Sequence, residues 1–75
     1  MKMYLLQFKG VRCRREYGRF LRFLRRMEKE GRLIRLRGAV IVADRDVLRE
    51  TVEVTVKAFG QFKIVFLENY FKNKP

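Results

Sequence analysis

The 75-residue sequence contains no histidine and a single cysteine, Cys13, and these two scarcities exclude several kinds of chemistry. Without an imidazole there is no Ser-His or Cys-His nucleophile pair. With one cysteine and no histidine there is neither a zinc-ligand pattern nor a disulfide within the chain. A glycine-rich phosphate loop is also missing. We therefore predict that the protein is not an enzyme and that it uses no metal or other cofactor.

Long apolar segments are missing as well. No run of 18 apolar residues could form a transmembrane helix, and the N-terminus lacks the apolar core of a signal peptide. Together with the unpaired cysteine, this composition predicts a cytoplasmic protein. Few Asn and Gln beside abundant Arg and Glu are typical of thermophilic proteins. We expect one domain over residues 1–75, with a polar C-terminal tail at 68–75 in which Tyr70 and Phe71 still dock.

Basic side chains outnumber acidic ones by 19 to 8, and the positive charge is unevenly distributed. Residues 1–38 carry 13 basic and 3 acidic side chains, a net charge of +10, whereas residues 39–75 carry 6 and 5, a net charge of +1. Charge concentrated in one half indicates a surface that attracts anions. Nucleic acid, DNA or RNA, is the predicted partner. An anionic membrane surface is the weaker alternative, because the apolar residues are needed for the core.

Val11 to Gly38 holds ten of the twelve arginines, and its middle predicts an amphipathic helix over residues 14–30. Gly31 is expected to end this helix. Opposite its apolar face, basic residues recur every three or four positions, and we call them the cationic row: Arg15, Arg19, Arg22, Arg26 and Lys29. Like charges one turn apart cost a few tenths of a kcal/mol each. Bound phosphates would offset that cost; a solvated face of a very basic protein is the alternative.

Further arginines extend the row at both ends. Arg12 and Arg14 lie near the predicted helix N-terminus, where the helix dipole disfavours cations and a bound anion would remove the conflict. The predicted nucleic-acid-binding residues are Arg12, Arg14, Arg15, Arg19, Arg22, Arg26, Lys29, Arg35 and Arg37. Nothing in the sequence indicates base-specific contacts, so we expect mainly non-specific phosphate binding.

The rest of the chain predicts four strands and a second helix. Residues 3–9 are apolar on both faces and predict a central strand. Residues 32–44 predict two short strands around Arg37-Gly38, or one strand bulged at Gly38. Residues 47–58 fit a helix, because their charges segregate on one side and Asp46 can cap it, but TVEVTVK also alternates like a strand. Residues 61–67 predict a last strand.

With residues 47–58 as a helix, the order is strand, helix, strand, strand, helix, strand, which is the α+β ferredoxin-like βαββαβ sandwich. With the same residues as a strand, the domain becomes one helix packed on an antiparallel β-meander. We favour the ferredoxin-like sandwich.

Two stretches resemble the RNA recognition motif. Residues 3–8 (MYLLQF) are similar to the first-strand hexamer of that family, with Tyr4 at its base-stacking position, and residues 37–44 (RGAVIVAD) begin like its third-strand octamer. Ala39, Ile41 and Asp44 stand where the family has aromatic residues. The resemblance implies the fold and RNA as a ligand, but most of the stacking platform is absent.

The predicted order of elements also resembles the small CRISPR-associated ferredoxin-like nucleases and the related antitoxins. Those enzymes hold a metal with an Asp at the end of the first strand, whereas Phe8-Lys9-Gly10 stands here. A metal nuclease is therefore not predicted. The alternative function is a protein–protein interaction module without nucleic-acid binding. Such a module would pair through a strand edge into a homodimer, or bind an acidic protein, as an antitoxin-like, regulatory or anti-defence protein would.

Two smaller features leave alternatives open. Cys13 lies among arginines at the predicted helix start, an environment that favours a reactive thiol, or it is a small residue in a loop. Asp44, Asp46 and Glu50 could group as ligands for a hard cation, or the two aspartates shape a turn and cap the helix, which we favour.

Overall fold

The computed structural model describes residues 3–67 and contains both helices and all four strands of the predicted sandwich. The elements are β1 (Tyr4–Val11), α1 (Arg14–Lys29), β2 (Leu33–Leu36), β3 (Ala39–Val42), α2 (Arg45–Ala58) and β4 (Phe59–Phe66). The strands form one antiparallel sheet in the order β2-β3-β1-β4, so β1 is central, as predicted. This α+β architecture is compatible with a ferredoxin-like arrangement. The tail at 68–75, with Tyr70 and Phe71, lies outside the described residues.

The ambiguous segment is a helix, so the β-meander alternative is wrong. Asp44, rather than Asp46, is the N-cap of α2, and its side chain accepts hydrogen bonds from the backbone N–H groups of Asp46 (2.7 Å) and Val47 (3.3 Å). The β-branched Thr51 and Thr55 are fully buried, and their hydroxyls donate to the carbonyls of Val47 (2.6 Å) and Thr51 (2.5 Å) one turn earlier. Because these hydroxyls are satisfied within the helix, residues that favour strands are accommodated in α2.

Asp44 also connects α2 to the start of β2, because Arg32 donates to its carboxylate at 3.3 Å. Hydrogen bonds from Val47 N–H, Asp46 N–H and the Arg32 side chain hold the pKa of Asp44 below its ordinary value. The charged form therefore stabilises the fold above the unfolded-state pKa of about 3.9. This stabilisation is lost as the pH falls through the lower pKa of the folded state.

We expect Asp44→Asn, which keeps an acceptor but loses the charge, to melt below the wild type at neutral pH. The gap in melting temperature should narrow between neutral pH and the lowest pH at which the fold persists, because the wild-type carboxyl also loses its charge as the pH falls through the lowered pKa of the folded state. Asp44→Ala, which removes the acceptor, should melt lower than Asp44→Asn at both pH values. Thermal denaturation by circular dichroism checks this. A gap between wild type and Asp44→Asn that is the same at both pH values would contradict the assignment.

Two glycines with positive φ end the first helix and turn the chain between β2 and β3. After α1, the N–H of Gly31 (φ 71°) donates to Glu28 O at 3.0 Å and that of Arg32 to Met27 O at 2.8 Å, the pattern of a Schellman C-cap. Gly38 (φ 71°) separates two distinct strands, so the alternative of one bulged strand is wrong. Gly31 and Gly38 are local sequence signals, so the end of α1 and the turn at Gly38 could be predicted from the sequence.

The core lies between the two helices and one face of the sheet. The helices contribute Phe20, Phe23, Leu24, Met27, Val47 and Ala58, and the strands contribute Leu6, Leu33, Val40, Val42 and Phe59. At one end, four aromatic rings pack at centroid distances between 4.7 and 6.2 Å, and we call them the aromatic cluster: Phe8, Tyr17, Phe20 and Phe59. The apolar side of α1 is therefore committed to the fold.

The position of Tyr4 differs from the one that the resemblance to the RNA recognition motif implies. Tyr4 lies two residues from the fully buried Leu6, on the helix-covered side, where its ring stacks on Phe66 at 5.2 Å. The expectation that Tyr4 takes a base-stacking position on the outer face is therefore wrong. The strand register places an aliphatic row across that outer face instead: Ile34, Ile41, Leu5 and Val65.

Candidate nucleic-acid interface

The outer face of α1 carries the predicted cationic row. All five residues of the row are exposed, whereas the buried residues of the helix lie on its other side. At about 1.5 Å per residue, the row extends about 21 Å from Arg15 to Lys29. The same period that buries the apolar side chains thus aligns the cations along one solvent-facing surface.

Ion pairing neutralises little of this row. Within residues 3–67, one member takes part in an ion pair: Arg19 lies 3.6 Å from Glu16, and its side chain is 59% exposed. An exposed pair of this kind contributes about 0–1 kcal/mol and leaves the guanidinium accessible. In the described part of the chain, Arg15, Arg22, Arg26 and Lys29 form no ion pair. Their charge is available to a ligand.

Carboxylates nevertheless border one side of the row. Arg19, Arg22 and Arg26 line a groove between the helices whose α2 wall carries Glu50 and Glu53. No ion pair joins the two walls within residues 3–67. The two carboxylates still lower the local potential, so the side of α1 that faces away from α2 attracts an anion more strongly.

The far side of α1 carries a further exposed arginine that is not among the predicted binding residues. Arg25 is exposed and lies one turn after Leu21, which lines a cleft together with Arg35. Arg25 falls outside the narrow arc of the cationic row, so the spacing of the row does not select it. Its position off the apolar face was the signal that could have identified it. With Arg14 and Arg25, α1 exposes seven cations.

The three predicted residues outside α1 lie at the end of the sheet where β1 ends and the β2–β3 turn is located. Arg12 is in the connection from β1 to α1, where its N–H donates to Ala58 O at 2.7 Å, and its side chain is exposed. Arg35 on β2 is paired with the buried Val40 and therefore lies on the helix-covered face, at the edge of the sheet. Arg37 is in the β2–β3 turn. All nine predicted residues are thus exposed, most of them on α1 and two beside the turn.

A cleft of about 360 Å³ opens between α1 and the β2–β3 turn. We call it the aromatic cleft, because all four rings of the aromatic cluster line it. Three basic residues also line it, and no lining residue is acidic: Lys9, Arg35 and Arg37. Leu21, Leu24 and Leu36 complete its apolar walls. Only the tertiary fold brings these residues together.

The two smaller features of the sequence have structural positions as well. Cys13 is exposed at the N-cap of α1, where its side chain makes no capping hydrogen bond. Asp44 and Asp46 lie at the start of α2, where Asp44 is the N-cap, which confirms that this pair of aspartates supplies the helix cap, although Asp46 itself is not the capping residue. Residues 3–67 hold no group of three His, Cys, Asp or Glu side chains arranged to bind a metal ion. Neither described helix is long and apolar enough to cross a membrane.

No protein-family model matches the chain, and neither a curated protein nor a solved structure matches it at a significant level.

Proposed function

We propose that the protein binds nucleic acid, mainly through phosphate contacts made by the outer face of α1. One observation carries the proposal: α1 exposes seven cations, and within residues 3–67 one of them is ion-paired. Uncompensated guanidinium groups in a line match the repeated charge of a phosphate backbone. The helix keeps its apolar side in the core, so the cationic side is free for a ligand.

The salt dependence of binding tests this proposal. Fluorescence anisotropy with a labelled single strand and a labelled duplex should give affinities that fall steeply between about 50 and 200 mM salt. Five phosphate contacts correspond to a slope of about −3.5 on a single strand and about −4.5 on duplex DNA. The purified protein should also carry nucleic acid, with excess absorbance at 260 nm, until nuclease and high salt remove it. A flat salt response would overturn the proposal.

A second candidate function, a homodimeric interaction module, is favoured by the edge strand β4. This strand is eight residues long, and Phe62 and Ile64, which lie on its helix-covered side, are 41% and 43% exposed. A long apolar edge is suited to pairing with another strand. Sedimentation velocity on nuclease-treated protein should then show a dimer that Ile64→Lys dissociates. A monomer at every concentration would exclude this candidate.

A further inference from the structure

We infer that the aromatic cleft binds an unpaired nucleobase, so that the preferred ligand is a single-stranded nucleic acid; this inference rests on the proposed function. The cleft combines aromatic and cationic side chains, and a nucleotide combines an aromatic base with an anionic phosphate. We call its aromatic rings the floor, because Phe20 and Phe59 among them are buried, and its three exposed cations the rim.

The floor offers ring surface to a flat ligand. Phe20 and Phe59 are almost fully buried, but Phe8 and Tyr17 are only partly buried and line the cleft. Tyr17 is held in place, because its ring packs against those of Phe20 and Phe59 at centroid distances of 6.2 and 5.7 Å. The volume of about 360 Å³ lies within the range of small-ligand sites. A ring held by its neighbours can stack on a base with little loss of side-chain entropy.

The rim selects for negative charge. Lys9, Arg35 and Arg37 make no ion pair within residues 3–67, and the cleft contains no carboxylate. The groove between the helices has two carboxylates and would repel a phosphate more strongly. Planar guanidinium groups can pair with a phosphate or stack on a base. The ligand that fits both floor and rim is an aromatic ring joined to an anion.

The position of the cleft next to α1 explains the preference for single strands. Leu21 belongs both to the wall of the cleft and to the helix that carries the cationic row. A strand whose phosphates follow α1 could therefore insert a base beside Tyr17. A base in a duplex is stacked and paired, so it could enter only at the cost of unpairing. Single-strand binding by aromatic stacking beside a cationic track is a known mode of recognition.

The test compares two single strands of about 12 nucleotides with the same phosphates, an oligothymidine and its fully abasic counterpart. At one salt concentration the wild type should bind the oligothymidine about tenfold more tightly, the effect of one stacked base. Tyr17→Leu should bring this ratio close to one, and Tyr17→Phe should preserve it. Tyr4→Leu is the matched control, because Tyr4 stacks on Phe66 outside the cleft, and it should leave the ratio unchanged.

The outcomes separate this inference from the proposed function. Equal, salt-dependent binding of both strands overturns the cleft site and leaves phosphate binding by α1 intact. No binding of either strand overturns both. A ratio that survives in folded Tyr17→Leu places the base elsewhere. If Tyr17→Leu does not fold, the wild type is titrated with thymidine monophosphate and followed by NMR. Chemical-shift changes at Lys9, Tyr17 and Gly38 would support binding in the cleft, and their absence would overturn it.

Discussion

Reversing two charges on the outer face of α1, with Arg15→Glu in the first turn and Arg22→Glu in the middle, should weaken nucleic-acid binding at least about 100-fold. Each charged contact is worth about 1.5–3 kcal/mol, so the loss of two is worth about 3 kcal/mol or more. The new carboxylates also repel the backbone. The slope of log affinity against log salt should become shallower by about 1.4 on a single strand.

The variant is designed to leave the fold intact. Both side chains are exposed and make no ion pair within residues 3–67. A Glu at position 15 lies in the first turn of α1, where the helix dipole favours an acid. A change in melting temperature would therefore be small, and the loss of binding can be assigned to the surface.

The matched control reverses two arginines on the other helix, with Arg45→Glu and Arg49→Glu together. Both are exposed on α2, and the formal net charge falls from +11 by the same 4 units. Since exposed charges are screened beyond about 8 Å at physiological salt, the control should lose much less affinity. If both double variants lost affinity equally, net charge rather than α1 would explain binding, and the interface would be wrong.

The parts of the molecule that were predictable are those with local signals. Residues 14–30 were predicted as a helix and α1 is Arg14–Lys29, because a 3.6-residue period and Gly31 define it within one segment. The segment of α2 was ambiguous, since its β-branched residues fit either structure. Its outcome depends on the Asp44 cap and on burial of Thr51 and Thr55.

The positions that were missed depend on tertiary structure. Residues 3–8 are apolar on both faces, so alternation alone could not tell which side Tyr4 occupies. The carboxylates beside the cationic row come from α2, more than twenty residues along the chain from Arg26. The aromatic cleft combines residues of β1, α1, β2, the β2–β3 turn and β4. A helical wheel of α1 shows none of the neighbours that the other elements contribute.

Phe20→Ala should remove a large part or all of the stability of the protein. Phe20 is 1% exposed, and its ring packs against those of Phe8 and Phe59 at centroid distances of 5.0 and 4.9 Å. Truncating a buried Phe costs about 3–5 kcal/mol. A chain of this size has a total stability of about 4–11 kcal/mol, so the variant should unfold at much lower denaturant or not fold at all. Urea denaturation followed by circular dichroism measures the change.

The neighbouring Arg22→Ala gives the contrast that makes this result informative. Arg22 is on the opposite side of the same helix, exposed and without an ion pair in the described residues, so its truncation should change stability by no more than about 0.5 kcal/mol. One helix would then carry stability on one side and binding on the other. If Phe20→Ala cost less than about 1 kcal/mol, the aromatic side of α1 would not be docked on the sheet. The cationic row would then have no fixed surface, and the aromatic cleft would have no floor.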